Sequence, residues 1–181
     1  TLLTDQYRFY GTQVNGFGEV SYFIPRQKND FVAGLNFKSF YFEKNTKEFS
    51  LINNFSDYTL GTFVQNTWKR SEKLFLEGGA RTDYHSQYGF FFLPRTAVLY
   101  KLNDHWYSRI GFGLGYLTPN ALAEQNTEVD MRKILPVADS IKAENSMGCY
   151  IEINYKKKIG KDAFLYINHA FFYSQVDHPV L

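Results

Sequence analysis

Apolar side chains occupy every second position over long stretches of this chain, most clearly between Trp106 and Tyr116. One face of that stretch carries Trp106, Ile110, Phe112, Leu114 and Tyr116, and the other carries Arg109, Gly111, Gly113 and Gly115. Because a β-strand alternates its side chains with period two, the pattern predicts a strand with one apolar face. Soluble strands are usually shorter, about five or six residues. Aromatic residues at both ends of the apolar row are typical of strands that meet lipid headgroups, so we predict the wall of a membrane β-barrel.

The same alternation predicts eight strands separated by two kinds of connection. The strands are Phe17–Ile24 (with a start as early as Gln6), Phe31–Phe42, Phe55–Arg70, Leu74–His85, Tyr88–Lys101, His105–Leu117, Asn145–Lys157 and Ala163–Ser174. Short turns at one end and long polar loops at the other are the arrangement of outer-membrane barrels. The long stretches are Glu43–Asn54 and Thr118–Glu144, and a helix is expected only within the latter, around Asn120–Leu135. The Ser86–Gln87 turn is an exception, since it is short and lies on the loop side.

Facing can be assigned strand by strand. Predicted to face lipid are Val20, Tyr22, Ile24, Leu74, Leu76, Ala80, Tyr84, Phe90, Phe92, Pro94, Val98, Tyr100, Ile151, Ile153 and Tyr155. Predicted to face inward are Glu19, Ser21, Glu77, Arg81, Asp83, His85, Arg95, Lys101, Glu152, Asn154 and Lys156. The last strand is ambiguous, because His169 shares a face with Ile167 and Phe171.

Composition agrees with a barrel and excludes several other classes. The chain is 19% aromatic, yet its mean hydropathy is -0.36, as expected when apolar and polar residues interleave. It contains no apolar run of about 18 residues, which excludes transmembrane helices. A net charge of +2 is too small to indicate a nucleic-acid partner. The lone Cys149 excludes an internal disulfide. The chain shows no signal peptide, so we expect a mature chain or a fragment.

Three ordered motifs give the chain a family resemblance. They are Leu76-Glu77-Gly78-Gly79-Ala80-Arg81-Thr82-Asp83-Tyr84-His85, then Leu93-Pro94-Arg95, then Tyr107 through Pro119, which includes Gly113-Leu114-Gly115-Tyr116. Together with Thr127–Pro136, Ile141–Glu144 and Ala170–Tyr173, they resemble the barrel of TonB-dependent receptors. The similarity is to the Bacteroidetes type related to ferric-enterobactin and colicin receptors, and it extends from about Phe17 onward.

The resemblance implies an all-β fold, a transmembrane antiparallel β-barrel of about 22 strands filled by a plug. Residues 1–181 would then form eight strands of one outer-membrane barrel domain, with the plug domain and the C-terminal strands absent from this chain. It also implies active import, across the outer membrane of a Gram-negative bacterium, of a scarce ligand such as a ferric siderophore or another metal chelate. The implied partners are the TonB complex, acting through the plug, the lipid bilayer, the ligand and a surface lipoprotein. No nucleic acid and no cofactor are expected. The alternative is a complete small barrel with a structural, adhesive or passive-pore role.

Candidate ligand contacts are the inward arginines Arg81, Arg95 and Arg109, which could attract an anionic chelate. The competing interpretation pairs them with Glu77, Asp83 and plug residues inside the lumen. Further candidates lie in the long loop, at Glu124, Glu128, Asp130 and Arg132. No catalytic set is evident, so an enzyme is not expected. The four histidines lack the spacing of a metal site. Siderophore, haem, cobalamin, copper chelate and glycan all stay open as ligands.

Overall fold

The computed structural model describes residues 10–45, 53–119, 141–160 and 163–177. Within these ranges the chain forms eight strands: β1 Gly11–Pro25, β2 Asn29–Lys44, β3 Phe55–Lys69, β4 Leu74–His85, β5 Gly89–Lys101, β6 Trp106–Leu117, β7 Glu144–Ile159 and β8 Ala163–Asp177. No helix in the same ranges has the length and apolarity needed to cross a bilayer. The helix expected around Asn120–Leu135 falls outside the described residues.

The eight strands form one antiparallel sheet in chain order, from β1 at one edge to β8 at the other. The prediction of eight strands is confirmed, and the largest differences are at the two outermost strands. β1 begins at Gly11, between the two predicted starts at Gln6 and Phe17, and Gly11 pairs with Lys44 of β2. β8 likewise continues past Ser174, since Asp177 pairs with Asn145 of β7. In both cases the neighbouring strand determines the length, although the added residues are mostly polar.

The sheet has an apolar outer face and a polar inner face. The outer face includes Val20, Leu35, Leu60, Val64, Phe90, Val98, Ile110, Phe112, Ile151 and Phe171, all of which are exposed. The inner face includes Asn36, Asp83, His85 and Asn154, which are all buried. Residues paired directly across an antiparallel ladder lie on the same face, so the register confirms the assignments made for β1, β4, β5 and β7.

The register also resolves the ambiguous last strand. His169 pairs with Ile153, and its neighbours Ile167 and Phe171 pair with Tyr155 and Ile151. All three β8 residues therefore lie on the outer face. The His169 ring packs edge-on against Phe171 at a centroid distance of 4.6 Å. The inner face of β8 carries Tyr166 and Asn168, which hydrogen-bond to Asn154.

Tyr116 corrects one predicted facing. Period-two alternation predicts that its side chain faces lipid, but its ring stacks on the inner-face residue Phe91 at 3.8 Å and its hydroxyl donates to Asp83 at 2.9 Å. The β5–β6 ladder ends at the pair Arg95–Gly113, while β6 stays paired to β7 as far as Leu117. The last residues of β6 are therefore held on one side only, which allows the strand to turn Tyr116 inward.

Aromatic residues of the outer face gather toward both ends of the strands. We call the end with the short connections the turn end and the opposite end the loop end. At the loop end Tyr84 contacts Phe90 at 4.9 Å and Tyr58 at 6.4 Å. At the turn end Trp106 contacts Tyr155 at 4.7 Å, and Trp68 and Tyr100 lie on the same face. This double belt is the expected position of amphipathic rings at two membrane interfaces.

The short turn at the loop end is stabilised locally. Gly89 has φ of 76°, a left-handed conformation that costs glycine little, and it begins β5 one residue later than predicted. The backbone N–H of Ser86 donates to the Tyr58 carbonyl at 2.9 Å, and the N–H of Tyr58 donates to Ser86 Oγ at 3.1 Å. These hydrogen bonds attach the turn to β3 and stabilise this short connection.

Candidate functional site on the inner face

The centre of the inner face holds a hydrogen-bonded cluster that spans three strands. Arg81 forms an ion pair with Asp83 at 2.7 Å, and its guanidinium also donates to Asn36 Oδ1 at 3.1 Å. Asp83 accepts a second bond, from Tyr116, on its other carboxylate oxygen. Asp83 is 2% exposed and Asn36 is 4% exposed. This cluster therefore satisfies a buried carboxylate with an opposite charge and a hydroxyl, as buried charges require.

Gly61 makes that cluster possible. It lies on β3 directly between Asn36 of β2 and Asp83 of β4. A Cβ atom at Gly61 would stand 2.6 Å from Asn36 Oδ1 and would also overlap Asp83 Oδ1. The missing side chain thus opens the path by which residues of β2 and β4 reach each other across β3.

A second cluster is centred on Glu77. Its two carboxylate oxygens lie 3.4 Å from Arg95 and 3.3 Å from Arg109, one arginine to each oxygen. Arg95 also hydrogen-bonds to Gln65, and the Arg109 guanidinium lies 6.0 Å from the centre of the Tyr150 ring. The three arginines predicted as ligand candidates are therefore all on the inner face, and each is paired with Glu77 or Asp83.

A recess opens at the loop end of the inner face, with a volume of about 310 Å³. It is lined by residues from β1 to β4 together with Thr118 and Pro119, the first residues after β6. Its polar side chains include Lys38, Asp57, Thr59 and His85. Of these, Thr59 is 7% exposed and His85 is 5% exposed. The recess thus joins the inner wall of the sheet to the start of the long connection.

Asp57 is the chemically unusual member of this recess. Its Oδ1 atom is buried and has no hydrogen-bond partner. Tyr88, in the adjacent turn, has its phenol pKa raised by burial and, to a smaller extent, by the negative charge of Asp57. A buried carboxylate oxygen without a donor is costly, so the recess favours a ligand or protein group that supplies an N–H, an O–H or a cation.

A third cluster surrounds Asn154, which is 1% exposed. Its Oδ1 accepts hydrogen bonds from Tyr166 and Asn168, both at 2.6 Å, while its Nδ2 has no partner. Asn36 has an unpartnered Nδ2 as well. Each of these amides presents a buried donor on the inner face. Like Asp57, each offers an unused hydrogen-bonding group to a protein segment or ligand that contacts the inner face.

The histidines are dispersed. His85 Nδ1 accepts a bond from the Gln87 N–H at 3.2 Å, and His105 Nδ1 lies 3.1 Å from the Lys156 carbonyl. His169 is on the outer face, and His178 lies outside the described residues. In the part of the chain that the structure describes, no group of three or more His, Cys, Asp or Glu is arranged to hold a metal ion.

The remaining site predictions divide by location. Glu124, Glu128, Asp130 and Arg132 fall outside the described residues and stay predictions.

Sequence reasoning did not single out Asn36, Asp57 or Gly61. The available signal was the inner row of β3, where Asp57, Thr59 and Gly61 alternate with exposed outer residues such as Leu60. A glycine between two polar rows could have pointed to a cluster that crosses the strand.

Comparison with known proteins identifies a family for this chain. The family model described as "TonB dependent receptor-like, beta-barrel" matches residues 1–175. None of the curated proteins matches the sequence.

Solved structures resemble the fold closely at low sequence identity. The siderophore receptor PirA from Pseudomonas aeruginosa superimposes with a TM-score of 0.73 at 13% identity, over 93% of this chain and 33% of that one. The FrpB iron transporter from Neisseria meningitidis gives 0.72 at 15% identity, over 93% and 28%. The ferric enterobactin receptor PfeA from Pseudomonas aeruginosa, in complex with enterobactin, gives 0.66 at 14% identity, over 94% and 28%. This chain therefore spans a third or less of the length of these three receptors.

Proposed function

Because this chain belongs to the family of TonB-dependent receptor β-barrels, we propose that it forms part of the wall of an outer-membrane importer for a ferric siderophore or a related metal chelate. The family match over residues 1–175 is the observation that carries this proposal. The whole importer would include a plug that couples to the TonB complex and further strands that complete about 22. A surface lipoprotein is a further candidate partner.

The two faces of the sheet support a wall that separates lipid from an internal channel. The outer face is exposed and apolar between two aromatic belts, whereas the inner face is polar and charged. A complete eight-stranded barrel would require β1 to pair with β8, and these strands are instead the two edges of the described sheet. The structural or passive small barrel is therefore the weaker alternative.

Within this wall, the recess at the loop end is the best candidate for ligand contact. It combines an unpartnered carboxylate oxygen of Asp57 with Lys38, Thr59 and His85, and it opens beside Thr118 and Pro119. Loops on a rigid scaffold commonly carry recognition. The stretch that continues from Pro119 thus begins at the edge of a partly polar recess, which favours a binding surface shared by wall and loop.

Arg81, Arg95 and Arg109 are proposed to have a structural role. Arg81 is paired with Asp83, and Arg95 and Arg109 share the carboxylate of Glu77. Attracting an anionic chelate would require breaking an ion pair that the wall itself provides. Lys38 is a better candidate for such a chelate, because it lines the recess at the loop end.

The test is uptake by a strain that lacks the full-length protein. We expect it to lose transport of radiolabelled iron supplied as selected ferric siderophores, while ferric citrate and cobalamin uptake stay normal. Complementation with the wild-type protein should restore transport. A variant in which residues 120–140 are replaced by a short Gly-Ser linker should insert and remain heat-modifiable yet transport poorly, and Lys38→Gln should weaken transport with Lys101→Gln as the matched control.

Two results would count against the proposal. Unchanged uptake of every iron chelate in the deletion strain, with loss of cobalamin or glycan uptake, would replace the siderophore with another ligand. Normal transport by a correctly inserted 120–140 replacement would remove the long connection from the binding surface. Recognition would then fall to the plug and to other loops.

A further inference from the structure

A shallow recess with a volume of about 270 Å³ opens on the outer face at the turn end of β1, β2 and β3. It is lined by Ile24, Arg26, Asn29, Phe31 and Asn66. The register places three of these in one row, since Ile24 pairs with Phe31 and Phe31 pairs with Asn66. The surface of the recess is mostly apolar, and its lining residues include one arginine and two asparagines.

Asn66 interrupts an otherwise apolar part of the outer face. Its neighbours in the outer row of β3 are Val64 and Trp68, which are 47% and 42% exposed. A carboxamide facing hydrocarbon loses its hydrogen bonds to water and is costly unless a partner replaces them. Trp68 marks the depth of the membrane interface. Asn66 lies two residues away on the same face, so a lipid headgroup is close enough to supply its hydrogen-bond partner.

The charge at the turn end favours an anion. Apart from the Lys69–Asp30 ion pair, the described turns and the outer strand ends there carry Arg26, Lys28, Arg70, Lys73 and Lys157, against Glu72 and Asp104. Arg70 lies over the Trp68 ring at 5.7 Å, which adds a cation to the outer side of the belt next to the recess. A juxtamembrane group of basic residues attracts anionic lipid headgroups.

We propose that this recess holds the acyl chain of an anionic phospholipid in the periplasmic leaflet, with the lipid phosphate against Arg26, an inference that rests on the proposed outer-membrane location. The Arg26 guanidinium would contact the phosphate through charge-assisted hydrogen bonds, for which its planar fork is suited. The N–H groups of Asn29 and Asn66 would donate to the phosphate and ester oxygens. The acyl chain would then lie along Ile24 and Phe31.

The experiment is a lipid titration of the purified full-length protein, delipidated in mild detergent and followed by native mass spectrometry. Short-chain phosphatidylglycerol should bind more tightly than phosphatidylcholine. Arg26→Gln should weaken phosphatidylglycerol binding about tenfold, the size expected for one lost charge-assisted bond. Asn66→Leu should weaken phosphatidylglycerol binding several-fold. This variant tests the recess if Arg26→Gln fails to fold. Lys73→Gln, which removes one charge from the same end outside the recess, should bind like the wild type.

Several outcomes would overturn the site. Equal weakening by Arg26→Gln and Lys73→Gln would show diffuse attraction by the basic end. Displacement of the lipid by millimolar inorganic phosphate would show a free-anion site. Heat-modifiability of each sample separates this inference from the proposed function: a wild-type protein that forms no membrane barrel refutes both, whereas an intact barrel without lipid preference refutes the recess alone.

Discussion

The outer and inner faces of this sheet arise from the same alternation but are stabilised in different ways. On the outer face, neighbours touch through rings and aliphatic groups, as in the contacts of Tyr84 with Tyr58 and Phe90. On the inner face, several charged side chains have a particular partner, as Arg109 of β6 has Glu77 of β4 and Arg81 has Asp83 within β4. Apolar contact in lipid requires only an apolar surface, whereas a buried polar group requires a donor or acceptor at the right distance.

This difference predicts opposite tolerances to substitution. The outer face should accept exchange among apolar side chains and reject charge. The inner face should accept changes where water or a second partner can compensate, and it should be sensitive where three strands meet. The following predictions concern the full-length protein and run from the largest expected effect to the smallest.

Phe112→Arg should give the largest loss of stability. Phe112 lies on the outer face, paired with Thr96 and Cys149, and an arginine on the lipid face near the bilayer midplane costs about 2–4 kcal/mol. Arg109→Gln, three residues earlier on the inner face, should cost about 1 kcal/mol or less, because Glu77 keeps Arg95. Guanidinium-induced unfolding of each variant from lipid vesicles measures both losses of stability. Equal losses would mean that β6 is buried on both faces, as in a soluble core.

Gly61→Ala compared with Gly78→Ala tests the crowding of the inner face. At Gly61 the added methyl group would overlap Asn36 and Asp83, which are held in the central cluster. Overpacking of this kind costs about 1–3 kcal/mol. At Gly78, on the outer face, a Cβ meets nothing within 4 Å, so alanine should be neutral or slightly stabilising.

The temperature at which half of the heat-modifiable form is lost should be lower for Gly61→Ala than for Gly78→Ala. If both variants melt together with the wild type, the central cluster does not depend on an open path across β3. If both are equally destabilised, the outer surface at Gly78 is covered rather than free.

Tyr116→Phe tests the inward turn at the end of β6. The variant keeps the stacking on Phe91 but removes the hydrogen bond to Asp83. We expect a loss of about 1 kcal/mol in the free energy of unfolding. Tyr100→Phe, on the outer belt, is the control and should stay within about 0.5 kcal/mol of wild type. No difference between the two variants would return Tyr116 to the lipid row that alternation alone predicts.

Tyr116 also marks the limit of what the sequence could predict. Period-two patterning was enough for the number of strands, their antiparallel order and the facing of β4 and β5, because each depends on a strand and its hairpin partner. It failed where a side chain depends on the end of a ladder, as at Tyr116, and it left His169 undecided until the β7 register was known. Asn36 and Asp57 were missed because their environment is formed by strands that are distant in the chain.

The smallest single effects should come from the two arginines that share Glu77. Arg95 has a side chain that is 59% exposed and Arg109 one that is 37% exposed, so each single change to Gln should cost at most about 1 kcal/mol. The Glu77 carboxylate keeps one partner in either case. The double variant Arg95→Gln/Arg109→Gln leaves that carboxylate unpaired, so its cost should exceed the sum of the single costs by about 0.5 kcal/mol or more. Denaturant unfolding of the four proteins completes the cycle. Strict additivity would show that hydration or another cation already stabilises the Glu77 carboxylate, and the inner face would then be as tolerant of substitution as the outer one.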